Sequence, residues 1–235
     1  MTLNEFKQAL NKRNIVLNDK MINQLNNYAT YLKEYNEKIN LTAIVEYEEV
    51  LDKHFYDSLL LVNHDLEGTL VDIGTGAGFP GVVLKIVFPK LRVLLVEPLN
   101  KRCVFLNSLI ERLDLKDIEV LNVRGEDYSL GHREEYDYVT ARAVSNLNNL
   151  IEVCGALVKK DGYFICLRGK DGKQEIETAA KAIKTMGFEV ESIKDEQLFN
   201  GDKRIISYFK KVNKTPLKYP RKYNIIKKSP LWRKK

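Results

Sequence analysis

Asp72, Gly74, Gly76, Gly78 and Gly81 crowd into the stretch Thr69-Leu-Val-Asp-Ile-Gly-Thr-Gly-Ala-Gly-Phe-Pro-Gly81. An apolar run meets a carboxylate, then glycines at alternate positions, then a proline suited to a first helical turn, where its missing N–H costs nothing. This pattern is a strand, a turn wrapped closely around a ligand, and a helix, because glycine lets backbone approach where a Cβ would intrude. Gly76-Ala-Gly78-Phe-Pro-Gly81 also satisfies the dinucleotide pattern G-x-G-x-x-G. A pyrophosphate on a helix N-terminus wants bare N–H groups and positive potential, and a carboxylate two residues before the first glycine opposes that. A phosphate-free ligand carrying ammonium and sulfonium groups would gain from Asp72 instead, and S-adenosylmethionine is such a ligand.

Further candidates follow along the chain. Leu91-Arg-Val-Leu-Leu-Val96 is a buried strand by its near-continuous apolar character, and it closes with Glu97, where a ribose would offer two hydroxyls to an acid. Ile118 to Val123 is a third strand, followed by Arg124-Gly125-Glu126-Asp127, a loop placed to meet an adenine. Tyr136 to Thr140 is a fourth, and Arg142 just beyond it stands at the strand edge where open α/β sheets bind ligands, able to reach a ligand or to pair with Asp72 or Glu97. His54, Asp57 and Ser58 fall on one helical turn and suggest a hydrolase, but without a strained nucleophile turn or an oxyanion hole the expected roles are local bonds or caps. Cys103, Cys154 and Cys166 lack C-x-x-C spacing and read as reduced core residues, so no metal is expected.

These residues need elements to hold them. Thr2-Leu-Asn-Glu5 predicts a capped first helix; Met21, Ile22, Leu25, Tyr28, Ala29, Leu32 and Tyr35 form the stripe of a second; Glu46 to His64 predicts a third. Val104, Leu106, Leu109, Ile110 and Leu113 are expected inward on a helix from Asn100. Lys160-Asp161-Gly162 reads as a turn before a fifth strand, Tyr163 to Leu167, that ends in Arg168-Gly-Lys170. Phe188 to Ile193 and Arg204 to Lys210 alternate apolar and polar and lie too close in sequence for a crossover helix, so they should pair antiparallel. The fold class is therefore α/β, a Rossmann-like class I methyltransferase arrangement. It comprises a seven-stranded, mainly parallel sheet with one antiparallel strand and an N-terminal helical extension. The expected division is 1–64 for the extension, 65–211 for the methyltransferase core and 212–235 for a basic tail.

With 235 residues and 44% hydrophobic content the chain can bury a sizeable core. No apolar run is long enough to span a membrane, and the first residues lack a signal-peptide pattern, so a cytoplasmic protein is expected. The net charge of +6 is uneven: from Lys210 to Lys235 there are eleven basic and no acidic residues, leaving 27 basic against 32 acidic before them, a net of −5. A basic segment on an acidic body points to a polyanion, nucleic acid first and anionic membrane second.

Six motifs then occur in one order: Asn40-Leu-Thr-Ala-Ile, His54-Phe-Tyr-Asp57-Ser58-Leu, Asp72 to Gly81, Lys101-Arg102-Cys-Val-Phe-Leu, Thr140-Ala-Arg142-Ala-Val and Tyr219-Pro-Arg221. In this the chain resembles the RsmG (GidB) family of bacterial methyltransferases that act on guanine N7 of 16S ribosomal RNA, and the resemblance covers almost its whole length. It implies S-adenosylmethionine as methyl donor and 16S rRNA or the small ribosomal subunit as partner. It also implies cofactor contacts at Gly74, Phe79, Gly125, Glu126 and Arg142, to which Asp72, Gly76, Gly78 and Glu97 are added from the residues themselves. Arg142 is the expected catalytic residue. Lys101, Arg102, Arg124, Arg168, Lys170 and Arg221 are the expected RNA contacts, and Tyr219, Tyr223 and Trp232 could stack on bases. A methyltransferase acting on another RNA or on a small molecule, a nicotinamide-dependent oxidoreductase and a non-catalytic RNA-binding module are the alternatives.

Overall fold

The computed structural model describes residues 1–62, 65–142 and 145–231. Trp232 and the end of the predicted third helix at His64 lie outside them.

Seven strands form one sheet in the order β3-β2-β1-β4-β5-β7-β6. They are β1 (Gly68–Ile73), β2 (Leu91–Val96), β3 (Ile118–Leu121), β4 (Tyr136–Arg142), β5 (Val158–Arg168), β6 (Phe188–Gln197) and β7 (Lys203–Lys211). β7 alone runs against its neighbours, pairing antiparallel with both β5 and β6. Successive strand residues point to opposite faces, and each face is covered. Leu70, Val93, Leu95, Ile165 and Leu167 join one core, Val71, Val96, Phe164 and Cys166 the other.

The first core is shared with the N-terminal helices. α1 (Leu3–Asn11) starts at the Thr2/Glu5 capping box and α2 (Asp19–Asn36) at the Asn18 side chain. Phe6, Leu10, Tyr28 and Leu32 from these helices bury with Val82 of α5 (Gly81–Val87) and Phe105 of α6 (Asn100–Arg112). The extension is thus continuous with the sheet's own core. The second core is closed by α7 (Gly125–Gly131), α8 (Leu147–Gly155) and α9 (Gly172–Thr185).

Three expectations change. Val104 is 51% exposed and Phe105 fully buried, because the apolar stripe of α6 runs through 105, 106, 109 and 113. Lys160-Asp161-Gly162 lies within β5: Tyr136 opposes Val158 but Tyr138 opposes Tyr163, so the surplus residues form a bulge with Asp161 at φ +66°. The third helix is not uniform. α3 (Tyr47–Val50) widens into a π-helical segment, Leu51–Tyr56, before the last turn α4 (Asp57–Leu59).

Candidate active site

The glycine turn leaves β1 at the edge of the sheet where the parallel strands end. Gly74, Gly76 and Gly78 all have positive φ (69°, 64° and 99°). A Cβ on Gly78 would lie 2.6 Å from Val82 Cγ2 and 2.8 Å from Tyr28 Oη, so this glycine is required for packing as well as for backbone conformation. Tyr28 also donates its hydroxyl to Ala77 O, so α2 clamps the turn from above.

Two carboxylates shape the turn. Asp72 is fully buried; its Oδ2 accepts from Thr75 Oγ1 (2.6 Å) and from the Gly81 amide at the start of α5 (2.9 Å). Its Oδ1 has no partner, and burial lifts the carboxyl to about 6. Glu97 is 1% exposed and accepts from the amides of Gly76 and Leu99, both at 2.9 Å. Around them opens a cavity of about 490 Å³ lined by the turn, Thr42, His54, Phe79, Glu97, Arg102, Arg124 and Arg142. A cavity walled by glycine backbone and the Glu97 carboxylate, with the Asp72 carboxylate buried beneath the turn outside its lining, suits a cationic ligand without phosphate. S-adenosylmethionine fits it.

Arg142 ends β4 and reaches across to the π-helical segment. Its Nη1 donates to Asp57 Oδ2 (3.1 Å) and Lys53 O (3.4 Å), its Nη2 to His54 Nδ1 (3.3 Å). The wide turn supplies that carbonyl: the Asp57 amide, which an α-helix would give to Lys53 O, bonds to Asp52 O instead. Asp57 also accepts from Arg204 Nε at 2.6 Å, so one buried carboxylate holds two guanidinium groups. Burial still outweighs both and leaves the Asp57 carboxyl above its ordinary range. Arg142 pairs with neither Asp72 nor Glu97 in this arrangement.

His54 stacks on Phe79, ring centroids 4.3 Å apart, with the Arg142 guanidinium over the same ring at 5.0 Å. Burial, reinforced by Arg142, depresses its pKa to about 3, so the ring is neutral. A guanidinium only donates, which makes Nδ1 the acceptor and places the proton on Nε2, facing Thr42 Oγ1 at 3.0 Å. His54 and Asp57 are thus site residues that helical spacing had assigned to local bonding; only Ser58 behaves that way, its hydroxyl bonding to His54 O.

A second cavity, about 410 Å³, lies on the other side of His54 and Arg142, lined also by Lys53, Asp57, Arg168, Gly169, Glu175 and Arg204. The expected RNA contacts divide around these two spaces. Lys101 and Lys170 are exposed. Arg102 and Arg124 line the first cavity, 3.9 Å from Glu97 and 3.6 Å from Glu126. Arg168 is committed elsewhere: it grips Glu175 through Nε and Nη2 and donates to Ser145 O. Arg221 is likewise committed, to Glu152, which is fully buried in α8. Gly125 and Glu126 open α7 at the end of β3, where a Cβ on Gly125 would lie 2.4 Å from Ile73 Cγ2. Among the described residues no cluster of His, Cys, Asp and Glu could hold a metal, and no helix is long and apolar enough to cross a membrane.

Comparison with known proteins bears on the fold and the family. The sheet resembles that of M. jannaschii TYW2 in complex with AdoMet (TM-score 0.55, 13% identity, 67% of this chain and 75% of that one). It also resembles a SAM-dependent methyltransferase from Aquifex aeolicus (TM-score 0.53, 17% identity, 75% and 97%). At such identities the likeness establishes the fold. Sequence relatives go further: the ribosomal RNA small subunit methyltransferase G of Bacillus licheniformis is 44% identical over 98% of this chain and 99% of its own length. That of Clostridium botulinum strain Loch Maree is 44% identical over 97% and 98%. The family model GidB, rRNA small subunit methyltransferase G, matches residues 21–204, and the chain belongs to that family.

Proposed function

We propose that this protein transfers the methyl group of S-adenosylmethionine to N7 of a guanine in 16S ribosomal RNA, acting in the cytoplasm on the small subunit or its RNA. The observation that carries the reading is the shared wall: Arg142 and His54 line both the carboxylate-bearing cavity and the basic cavity beside it. Donor on one side and acceptor nucleotide on the other then meet at Arg142.

S-adenosylmethionine supplies an electrophilic methyl carbon on a sulfonium. Guanine N7 has an in-plane lone pair in the neutral base, so its methylation releases no proton and needs no general base. The site fits that chemistry, since both ring nitrogens of His54 are engaged, by Arg142 and Thr42. Asp72 sets a negative field and holds the turn, Glu97 fixes the Gly76 and Leu99 amides beside the ribose position, and Gly125 with Glu126 receives the adenine. Three of the five N–H donors of Arg142 are committed to Lys53, His54 and Asp57. The remaining two orient the acceptor nucleotide, and rate comes from holding N7 in line with the methyl group. Lys101, Arg102, Arg124 and Lys170 contribute phosphate contacts.

The test is transfer of labelled methyl from S-adenosylmethionine to small subunits and to free 16S rRNA from a strain lacking the protein, mapped by cleavage at N7-methylguanine. One labelled guanine is expected. Label on another atom, or on no ribosomal RNA, would overturn the reading, and tight NAD binding without S-adenosylhomocysteine binding would favour an oxidoreductase.

A further inference from the structure

The eleven cations between Lys210 and Lys235 look, in sequence, like a loose basic tail. The structure up to Leu231 is different. β7 runs antiparallel to β5, with Ile205 opposite Arg168 and Lys210 opposite Tyr163. The chain therefore leaves the sheet at the edge where the parallel strands begin. Five residues of strand, about 17 Å, separate that point from the ligand-binding edge.

There the segment is fastened by buried charge. Lys211 is fully buried, and its Nζ donates to Gly155 O (2.6 Å) and Met186 O (2.8 Å), carbonyls at the C-terminal ends of α8 and α9 where helix dipoles favour a cation. Burial lowers its pKa to about 8. Arg133 donates to the carbonyls of Thr215 and Tyr219, while Glu134 accepts from the Thr215 amide. Arg221 closes on Glu152 through two nitrogens, and its Nη1 donates to Ser229 O, folding the segment around a short helix, α10 (Tyr223–Lys228), whose Ile226 is buried. Burying charged groups is costly unless every one is satisfied. A segment whose only task is solubility has no need of such anchors.

What the anchored segment presents outward is Lys214, Lys218, Lys222 and Lys227, all exposed and, among the described residues, within 4.0 Å of no carboxylate. We propose that this segment is a folded platform for the phosphodiester backbone of RNA. It would grip a stretch of ribosomal RNA apart from the one that carries the methylated base, a proposal that rests on the rRNA reading above. RNA fits better than an anionic membrane because, among the described residues, the segment exposes only Leu217 and Ile225 as large aliphatic side chains while Ile226 is buried. Two contacts at opposite edges of the sheet would make recognition depend on folded RNA more than on the sequence at the target base.

The test uses the full chain with Lys214, Lys218, Lys222 and Lys227 all changed to alanine. A charge-matched control carries the same change at Lys7, Lys12, Lys20 and Lys116. Binding to 16S rRNA is measured across salt concentrations, and S-adenosylhomocysteine binding is measured separately. Each lost phosphate contact removes about 0.7 to 0.9 from the slope of log affinity against log salt, so the slope should fall by about 3, with affinity at least roughly tenfold weaker near 0.1 M salt. S-adenosylhomocysteine affinity should be unchanged and the control should bind RNA as the native chain does. An unaltered slope, or equal weakening in the control, overturns the platform. So does a native chain that binds phosphatidylglycerol vesicles through these lysines without competition from rRNA. Failure of the parent reading is distinct: the native chain would bind S-adenosylhomocysteine yet neither bind nor methylate ribosomal RNA.

Discussion

Replacing Asp72 by asparagine should make the free protein more stable at pH 8 while weakening the methyl-donor site. The carboxyl titrates near 6 against an ordinary value of 3.8, because burial outweighs its hydrogen bonds to Thr75 and Gly81. Folding with this group ionised thus costs about 3 kcal/mol above pH 7. A raised carboxyl binds more protons folded than unfolded between pH 3.8 and 6, so its contribution to stability falls as pH rises through that window. Asparagine keeps the shape: its Oδ1 can accept from Thr75 and Gly81, and its Nδ2 replaces an oxygen that already lacks a partner. Subtracting about 1 kcal/mol for the unsatisfied amide leaves a gain of about 2 kcal/mol at pH 8. For a chain of this length that is a rise of about 4–8 °C in Tm.

The gain should grow by about 2 kcal/mol between pH 4.5 and pH 8. His54 acts oppositely, since a histidine depressed to about 3 loses stability as pH falls below 6.5. The difference between variant and native protein, measured by urea unfolding at each pH, cancels that contribution. S-adenosylhomocysteine affinity should fall about 10- to 100-fold, the worth of a buried charge acting through the turn from several ångströms at an effective dielectric of about 20. A variant less stable than the native chain at pH 8, or a gain independent of pH, would refute the assignment of Asp72 as a carboxylate held ionised against its environment for the sake of a cation.

Glycine positions in the turn should differ in cost. Gly76→Ala meets nothing nearer than Arg102 Nη1 at 4.0 Å and should cost only the 1–2 kcal/mol or so of its positive φ, whereas Gly78→Ala, wedged against Val82 and Tyr28, should cost several-fold more by urea unfolding and abolish donor binding. Arg221→Ala leaves Glu152 charged and buried, so Tm should drop by about 6–12 °C, with S-adenosylhomocysteine affinity unaffected and partial recovery on adding Glu152→Gln. Asp57→Ala strands Arg142 beside Arg204, so methyl transfer should fall more than S-adenosylhomocysteine binding does, a split read from kcat and the dissociation constant. The His54 imidazole resonances should not titrate between pH 5 and 8 by NMR.

Much of the fold was legible because its signals are local. Apolar runs marked β1 and β2, alternation marked β6 and β7, and the glycines at 74, 76 and 78 marked a turn that does require positive φ. α7 was hidden because it begins and ends with glycine, leaving little helical periodicity to read. The π-helical segment was hidden for another reason: no side chain announces an i to i+5 bond, and Leu51–Tyr56 has the apolar spacing of any buried helix.

The site's other half depends on partners far apart in sequence. Arg142 meets Asp57 across 85 residues, and Arg204 meets the same carboxylate across 147. Periodicity is blind to such pairs, yet it leaves a clue. Asp52, His54 and Asp57 stand among Val50, Phe55 and Leu59 on one short helix, and a buried polar group must be satisfied somewhere. The same reasoning applies to Glu152 within Leu147-Asn-Asn-Leu-Ile-Glu-Val-Cys-Gly155, a helix too apolar to face water. A carboxylate there calls for a cation from elsewhere in the chain, and Arg221 supplies it. Charge counting alone gave that arginine to RNA. Counting which acids must be buried gives it to the body, and leaves the exposed lysines around it as the cations able to meet phosphate.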